Sequence, residues 1–241
     1  MAGWWEPVRD YCERTGPEPW AEPLNAASNA AFVVAALLLL RRGRAPDGTA
    51  DGFAWLVGLI GIGSALFHTL AVRWAMLADV IPIAVFIHAY VFLALRRFLG
   101  LGAPAALAGT LAFALAAAVV EPVLSGLAGR PLGPLSNNSI DYLPAALALF
   151  GVGAASLRFG GREGGALIGL GILFLVSLLA RTLDSALCPV LPFGTHWLWH
   201  LLNAGLLYGL VRAARRAGPA ARHSRPDGPA ARHSRPDGPA A

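Results

Sequence analysis

Long runs of apolar residues, separated by short polar stretches, recur along most of the chain. Seven of these runs are long enough, or nearly so, to cross a bilayer as a helix. A segment inside a bilayer must satisfy its backbone hydrogen bonds internally, which helices do. The pattern therefore predicts an all-α membrane protein, a bundle of seven transmembrane helices. The runs cover residues 24–40, 53–70, 75–95, 104–124, 140–157, 165–180 and 195–211.

The two ends of the chain differ from this apolar body. Residues 1–23 are polar, rich in Trp and acidic residues, and lack the basic and apolar pattern of a signal peptide. Residues 24–212 form the predicted membrane domain. Residues 213–241 are predicted to be a disordered tail, because from about 219 onward a ten-residue unit rich in Pro, Gly and Arg repeats.

The arginines predict the orientation of the bundle. All 19 basic residues are Arg, and they concentrate after alternate apolar runs. The positive-inside rule therefore predicts an N-terminus outside the membrane and a C-terminus in the cytoplasm, which agrees with an odd number of spans. The cytoplasmic set is Arg41, Arg42, Arg44, Arg96, Arg97, Arg158, Arg162, Arg212, Arg215 and Arg216, whereas the opposite loops carry only Arg73, Arg130 and Arg181.

Two cysteines lie on the predicted outer side. Cys12 is in the N-terminal segment, and Cys188 is in the loop before the last apolar run. The bacterial periplasm and the lumen of the endoplasmic reticulum both permit disulfides. We predict a Cys12–Cys188 disulfide that fastens the N-terminal segment over the start of the last helix. The alternative is two unrelated free thiols.

Ionisable side chains inside apolar runs are costly and mark candidate functional sites. His196 and His200 are four residues apart and share one helix face, a spacing that lets two imidazoles reach one metal ion. Because successive helices run in opposite directions, His68, Ser64 and Asp79 fall at the same depth, near the predicted outer face. Three imidazoles with one open position are the ligand set of a catalytic zinc. The sequence therefore predicts a zinc site at His68, His196 and His200, with Ser64 and Asp79 as catalytic candidates.

Other polar residues have structural interpretations. His88, in the middle of the third run, is expected to bond to a neighbouring backbone carbonyl. Glu121 and Asp141 are expected to be interfacial or helix-capping groups. His223 and His233 belong to the repeated tail and indicate no site.

The motifs around these residues resemble the CREST superfamily of seven-helix membrane hydrolases, and within it the alkaline ceramidases. The resemblance rests on Ser64-x-x-x-His68, Asp79, His196-x-x-x-His200 and Asp184-x-x-x-Cys188. It also rests on Asp10-Tyr11-Cys12-Glu13, similar to the family's Asp-Trp-Cys-Glu, and on the stretch from Glu22 to Asn29. The match covers residues 10 to 205.

This resemblance implies a zinc-dependent amidohydrolase that cleaves ceramide, or a ceramide-like lipid, to a sphingoid base and a fatty acid. It implies zinc ligands at His68, His196 and His200. It also implies a calcium ion, with oxygen ligands as calcium prefers, held by the side chains of Asp10, Glu13 and Glu22 and the carbonyls of Tyr11 and Thr15. The chain departs from the family at Tyr11, which replaces Trp, at Thr15, where Asn is frequent, and in a shortened stretch before Glu22.

Competing functions remain to be separated. A non-enzymatic zinc receptor of the adiponectin-receptor type would share the three histidines without hydrolysis. A retinal protein is excluded because the chain has no Lys for a Schiff base. A transporter would favour polar groups near the midplane, whereas the polar groups here lie near the predicted outer face.

We expect an integral membrane protein, in a bacterial inner membrane with the site toward the periplasm. We also expect a lipid substrate and no nucleic-acid partner.

Overall fold

The computed structural model describes residues 3–41 and 48–218. Within these ranges the regular elements are helical, and an isolated β-bridge joins Pro7 to Val72. The α-helices are α1 (Pro23–Ser28), α2 (Ala30–Leu40), α3 (Thr49–Leu70), α4 (Arg73–Arg97), α5 (Ala103–Ala128), α6 (Leu132–Leu135), α7 (Leu143–Arg158), α8 (Gly164–Leu187) and α9 (His196–Ala217), with a 3₁₀ turn over Ser139–Tyr142 before α7.

Six helical stretches in the described ranges are long and apolar enough to cross a membrane. This agrees with an integral multi-pass membrane protein. The seventh predicted segment forms α9, whose 22 residues span about 33 Å at 1.5 Å per residue. Its polar residues His196, His200 and Asn203 make it less apolar than the other six. The six stretches are Pro23–Leu40, Thr49–Leu70, Arg73–Arg97, Ala103–Ala128, Ser139–Arg158 and Gly164–Leu187.

The helix boundaries differ from the apolar runs at several points. The first run is two helices, α1 and α2, with a break at Asn29. Helix α8 extends to Leu187, so Arg181 lies inside a helix and not in a loop as the arginine count assumed. Helix α9 continues to Ala217, past the expected domain boundary at 212. The expectations for Arg42, Arg44, His223, His233 and residues 219–241 lie outside the described residues.

Helix α3 occupies a central position, packed between α2 and α4 and also contacting α9. Small residues permit this close packing. At Gly63 an added Cβ would lie 2.1 Å from the carbonyl oxygen of Ala78 in α4, and at Gly61 it would lie 2.7 Å from Cβ of Phe32 in α2. Helix α8 packs between α7 and α9, and α9 returns to contact α2. The α3–α9 contact is what brings His68 near the start of α9.

Helix α5 lies at the periphery. Ala106 is its only buried residue, and it leaves Leu107, Leu111 and Leu115 exposed along one face. In a protein with membrane-spanning helices, such an apolar stripe suits contact with lipid tails. The buried core instead lies among α2, α3, α4, α8 and α9.

Candidate metal centre

Three histidines from two helices meet at one point near the Cys12–Cys188 disulfide. His68 lies in the last turn of α3, and His196 and His200 lie in the first turns of α9. All three are at most 2% exposed. Their donor atoms lie within 4.8 Å of one another, and in the described part of the chain they are the only group of His, Cys, Asp or Glu side chains that converges in this way. The three residues could therefore hold a metal ion.

Polar neighbours determine which imidazole nitrogen is available. Nδ1 of His200 lies 2.7 Å from Oγ of Ser28, and that hydroxyl donates to the carbonyl of Asn25. Since the hydroxyl proton is already used, Nδ1–H of His200 is the donor and its Nε2 carries the free lone pair. Nδ1 of His68 lies 2.6 Å from a carboxylate oxygen of Glu22, which can only accept while ionised. Both contacts are of the kind that orients metal-ligating histidines.

The remaining nitrogens fit a cation site. Nε2 of His68 and Nδ1 of His196 are buried and have no hydrogen-bond partner among the described residues. A buried polar atom without a partner is costly, and a metal ion would remove that cost. The ring of Tyr11 stacks on His196 with centroids 3.7 Å apart and restricts its orientation. This set of three nitrogen donors fits a metal such as zinc, although the donors alone do not identify the ion.

Asp79 and Ser64 lie in one cavity with two of the three histidines. This cavity of about 390 Å³ is lined by Ser64, Asp79, His196 and His200. Ser64 is close enough to the Asp79 side chain to interact with it. Oδ1 of Asp79 is buried and has no partner among the described residues. A carboxylate oxygen is therefore available to a molecule bound in the cavity.

A second, almost entirely apolar cavity of about 90 Å³ adjoins the first. Phe32, Ile60, Tyr142 and Trp199 line both. The combined space offers polar groups near the histidines and an apolar branch between the helices, which is the distribution that an amphipathic ligand requires.

The sequence provided no sign that Arg181 belongs to this cavity. Its Nη1 donates to the hydroxyl of Tyr11 at 3.1 Å, and its Nε donates to the carbonyl of Asn137 at 3.1 Å. The guanidinium also lies 5.3–5.8 Å from the ring centres of Tyr11, Tyr142 and Trp199. Arg181 thus adds a positive charge to a wall that carries Asp10, Asp79 and Asp141.

Other residues from the sequence analysis occupy varied positions. Asp141 lies in the 3₁₀ turn and lines the cavity. Of its two expected roles, that of helix cap is wrong, because Tyr142 is the residue that precedes α7. His88 donates from Nδ1 to the carbonyl of Ala84 at 2.8 Å, as expected. Glu121 accepts from the hydroxyl of Ser125 at 2.6 Å, a structural contact.

The disulfide and Asp184 fix the start of α9. Cys12 and Cys188 are joined, with Cα atoms 5.3 Å apart. Asp184 is fully buried. Its Oδ1 accepts from the backbone N–H groups of Thr195 and His196, at 2.7 and 2.9 Å, and its Oδ2 accepts from the N–H of Cys12 at 3.0 Å. One carboxylate therefore caps α9 and joins it to the N-terminal segment.

Gly194 makes this arrangement possible. Its φ of +59° is in the left-handed region that favours glycine. A Cβ there would lie 2.0 Å from Oδ1 of Asp184 and 2.8 Å from Cβ of Cys12. The first candidate metal ligand of α9, His196, follows two residues later.

The Asp184→Ala protein is expected to unfold at a lower temperature than wild type. Three buried backbone N–H groups would lose a charged acceptor, which costs on the order of 3 kcal/mol and corresponds to a fall of roughly 6–12 °C in Tm for a domain of this size. Thermal unfolding in detergent measures this. Glu6→Ala, which removes the exposed partner of Arg73, is the control and should change Tm little. Equal shifts for the two variants would contradict the role of Asp184.

Glu13 and Glu22, two acidic residues of the implied calcium site, have protein partners in this structure. Both oxygens of Glu13 accept backbone N–H groups, from Leu24 at 2.7 Å and Asn25 at 2.8 Å. Burial raises the pKa of Glu13, and these two bonds oppose the rise. Glu22 is paired with Arg14 and His68. Asp10 is exposed as a whole residue, and the partial burial of its carboxyl group raises its pKa.

No protein-family model matches the chain, and no curated protein matches it significantly. The functional interpretation therefore rests on the residues of this chain and their arrangement.

Proposed function

We propose that this protein is an intramembrane zinc-dependent amidohydrolase of the alkaline-ceramidase type. It cleaves the N-acyl amide of ceramide, or of a ceramide-like lipid, to a sphingoid base and a fatty acid. The observation that carries this proposal is the convergence of three buried histidines beside an acid, Asp79, that keeps a carboxylate oxygen free in the same cavity.

His68, His196 and His200 would hold the ion. When bound, zinc supplies a Lewis acid that polarises a carbonyl and lowers the pKa of water toward about 7. Glu22 and Ser28 keep His68 and His200 in the tautomers that leave Nε2 free. The proposed reaction does not use calcium; Glu13 and Glu22 instead bond to protein donors.

Asp79 acts as the general base and then the general acid. Its Oδ1 has no protein partner among the described residues, and Asp79 lines the same cavity as His196 and His200, so it can accept a proton from the attacking water and return it to the leaving amine nitrogen. Because Ser64 is close enough to interact with the Asp79 side chain, we propose that Ser64 orients that carboxylate.

The shape of the cavity supports a lipid substrate. The polar part beside the histidines suits an amide and hydroxyl headgroup, and the apolar branch between the helices suits an acyl chain or a long-chain base. The apolar helices support a membrane location, where such a substrate is concentrated.

We further propose that α9 completes a seven-span bundle with the N-terminus outside, in a bacterial inner membrane, so that the site lies toward the periplasm. Two observations support this topology. The arginines cluster at one end of the bundle, and the disulfide lies at the opposite end with the metal centre, which suits an oxidising compartment.

Purified protein is expected to contain about one zinc per chain and to release fatty acid from an N-acyl sphingoid base. Removing the zinc should abolish release, and adding it back should restore it. Metal analysis and mass spectrometry of the products measure the two quantities. Bound zinc without release from any N-acyl lipid would overturn the enzyme proposal and favour a zinc receptor of the adiponectin-receptor type.

A further inference from the structure

Arg14 lies buried next to the metal centre, with every contact directed at an oxygen. It is 8% exposed. Its Nε donates to the carboxylate of Glu22, and its Nη1 donates to the carbonyls of Gly16 and Glu18 at 3.3 and 3.1 Å. Its Nη2 donates to the carbonyl of His68 at 2.9 Å. One guanidinium thus donates hydrogen bonds to a carboxylate and three backbone carbonyls, which belong to the N-terminal segment and α3.

These contacts reach His68 by two routes. The carbonyl of His68 is in the last turn of α3, where helix carbonyls lack intrahelical partners, and Arg14 supplies one. Through its side chain, His68 bonds by Nδ1 to Glu22, the same carboxylate that Arg14 holds. Arg14 therefore restrains both the backbone and, through Glu22, the imidazole of this candidate ligand.

A cation beside Glu22 stabilises its buried charge. Glu22 is 2% exposed, and a buried carboxylate without a partner is costly. A histidine that ligates a metal is neutral, so His68 cannot supply the charge. Carboxylate and carbonyl oxygens are also the ligands that a calcium ion prefers. Here the guanidinium of Arg14 donates hydrogen bonds to such oxygens. Each carboxylate oxygen of Glu13 accepts a hydrogen bond from a backbone N–H group.

We propose that Arg14 is a positioning residue whose guanidinium takes the place of a divalent cation. It fastens the N-terminal segment to the end of α3 and holds Glu22 against His68, so that the metal centre forms without calcium. This inference rests on the three-histidine metal centre of the proposed function, and it does not depend on which lipid, if any, is cleaved.

The first test uses the wild-type protein in calcium-depleted buffer. Adding millimolar calcium should leave both the zinc content and the unfolding temperature unchanged, and equilibrium dialysis with radioactive calcium should detect no stoichiometric binding. One calcium bound per chain, or a Tm raised by several degrees, would overturn the proposal. No variant is needed, so a misfolded variant cannot hide the answer.

The second test removes the guanidinium. Arg14→Ala should bind zinc about ten- to a hundredfold more weakly, the range found for residues that orient metal ligands. Guanidinium chloride at millimolar, non-denaturing concentrations should restore much of that affinity, whereas ammonium chloride should not, because one ammonium cannot reach the same four oxygens. Arg14→Lys should fall between wild type and Arg14→Ala. Zinc titration against a competing chelator measures each value.

Arg73→Ala is the matched control. It also removes an Arg–Glu pair in the same region, but an exposed one, since both side chains are at least 50% exposed. Its zinc affinity should equal that of wild type. The proposal fails if Arg14→Ala binds zinc as tightly as Arg73→Ala, or if calcium instead of guanidinium restores Arg14→Ala. Both readouts are metal binding, so a failure to detect lipid hydrolysis would contradict the proposed function and leave this inference standing.

Discussion

The His200→Ala protein is expected to lose its zinc and, with it, all release of fatty acid. His200 supplies one of three converging donors, and two imidazoles do not complete the site. Altering a residue that only orients a ligand typically weakens metal binding about ten- to a hundredfold. Removing a ligand should therefore weaken it at least about a hundredfold. Metal analysis after gel filtration measures zinc per chain.

A suitable control is His88→Ala. His88 lies in the same bundle and lines the same cavity, but its Nδ1 bonds to the carbonyl of Ala84. It should keep about one zinc per chain. A His200→Ala protein that binds zinc as wild type does would rule out the three-histidine site. Equal losses in both variants would mean that the effect is general instability of the bundle.

The apolar pattern was sufficient to predict the helical membrane architecture, for a clear physical reason. Backbone groups in a bilayer must be paired within the segment, so length and apolarity nearly determine the element. The same pattern could not predict the break at Asn29 or the extension of α8 to Leu187. Both depend on contacts with other parts of the chain and not on local hydrophobicity.

The convergence of the three histidines could be predicted because two simple rules act together. The i, i+4 spacing puts His196 and His200 on one face, and the alternation of helix direction puts His68 at the same end. The structure brings all three together. The partners that orient them could not be predicted in this way, since Ser28 is 172 residues from His200 and Glu22 is 46 residues from His68. The residues next to each histidine in the sequence do not indicate which distant residue it will contact.

Arg14 and Arg181 show a different limit of prediction from sequence. A topology rule counts an arginine only as one charge, and on that basis it places Arg181 in a loop. Its actual environment, beside Tyr11 and Asn137, depends on how α8 packs. Likewise, the Asp-Tyr-Cys-Glu motif suggests a calcium site, but the residue after it is Arg14, whose guanidinium bonds to Glu22. A single cation within a motif can change which ion the motif suits.

The Asp79→Asn protein is expected to keep its zinc and lose most of its turnover. The amide has nearly the shape of the carboxylate and can still pair with Ser64, so the three histidines should stay in position. It cannot accept a proton from water at neutral pH, and loss of general acid–base catalysis typically costs about 10²–10⁴-fold in rate. The measurements are zinc per chain and kcat for fatty-acid release.

The other cavity acid provides the comparison. Asp141 lines the same space but lies on the 3₁₀ turn before α7 and not beside Ser64. Asp141→Asn should therefore retain kcat within a few fold of wild type. If Asp79→Asn turned over as fast as Asp141→Asn, Asp79 would not be the proton carrier. If instead Asp79→Asn lost its zinc, the acid would contribute to holding the ion, and the separation of binding from proton transfer proposed for this site would be wrong.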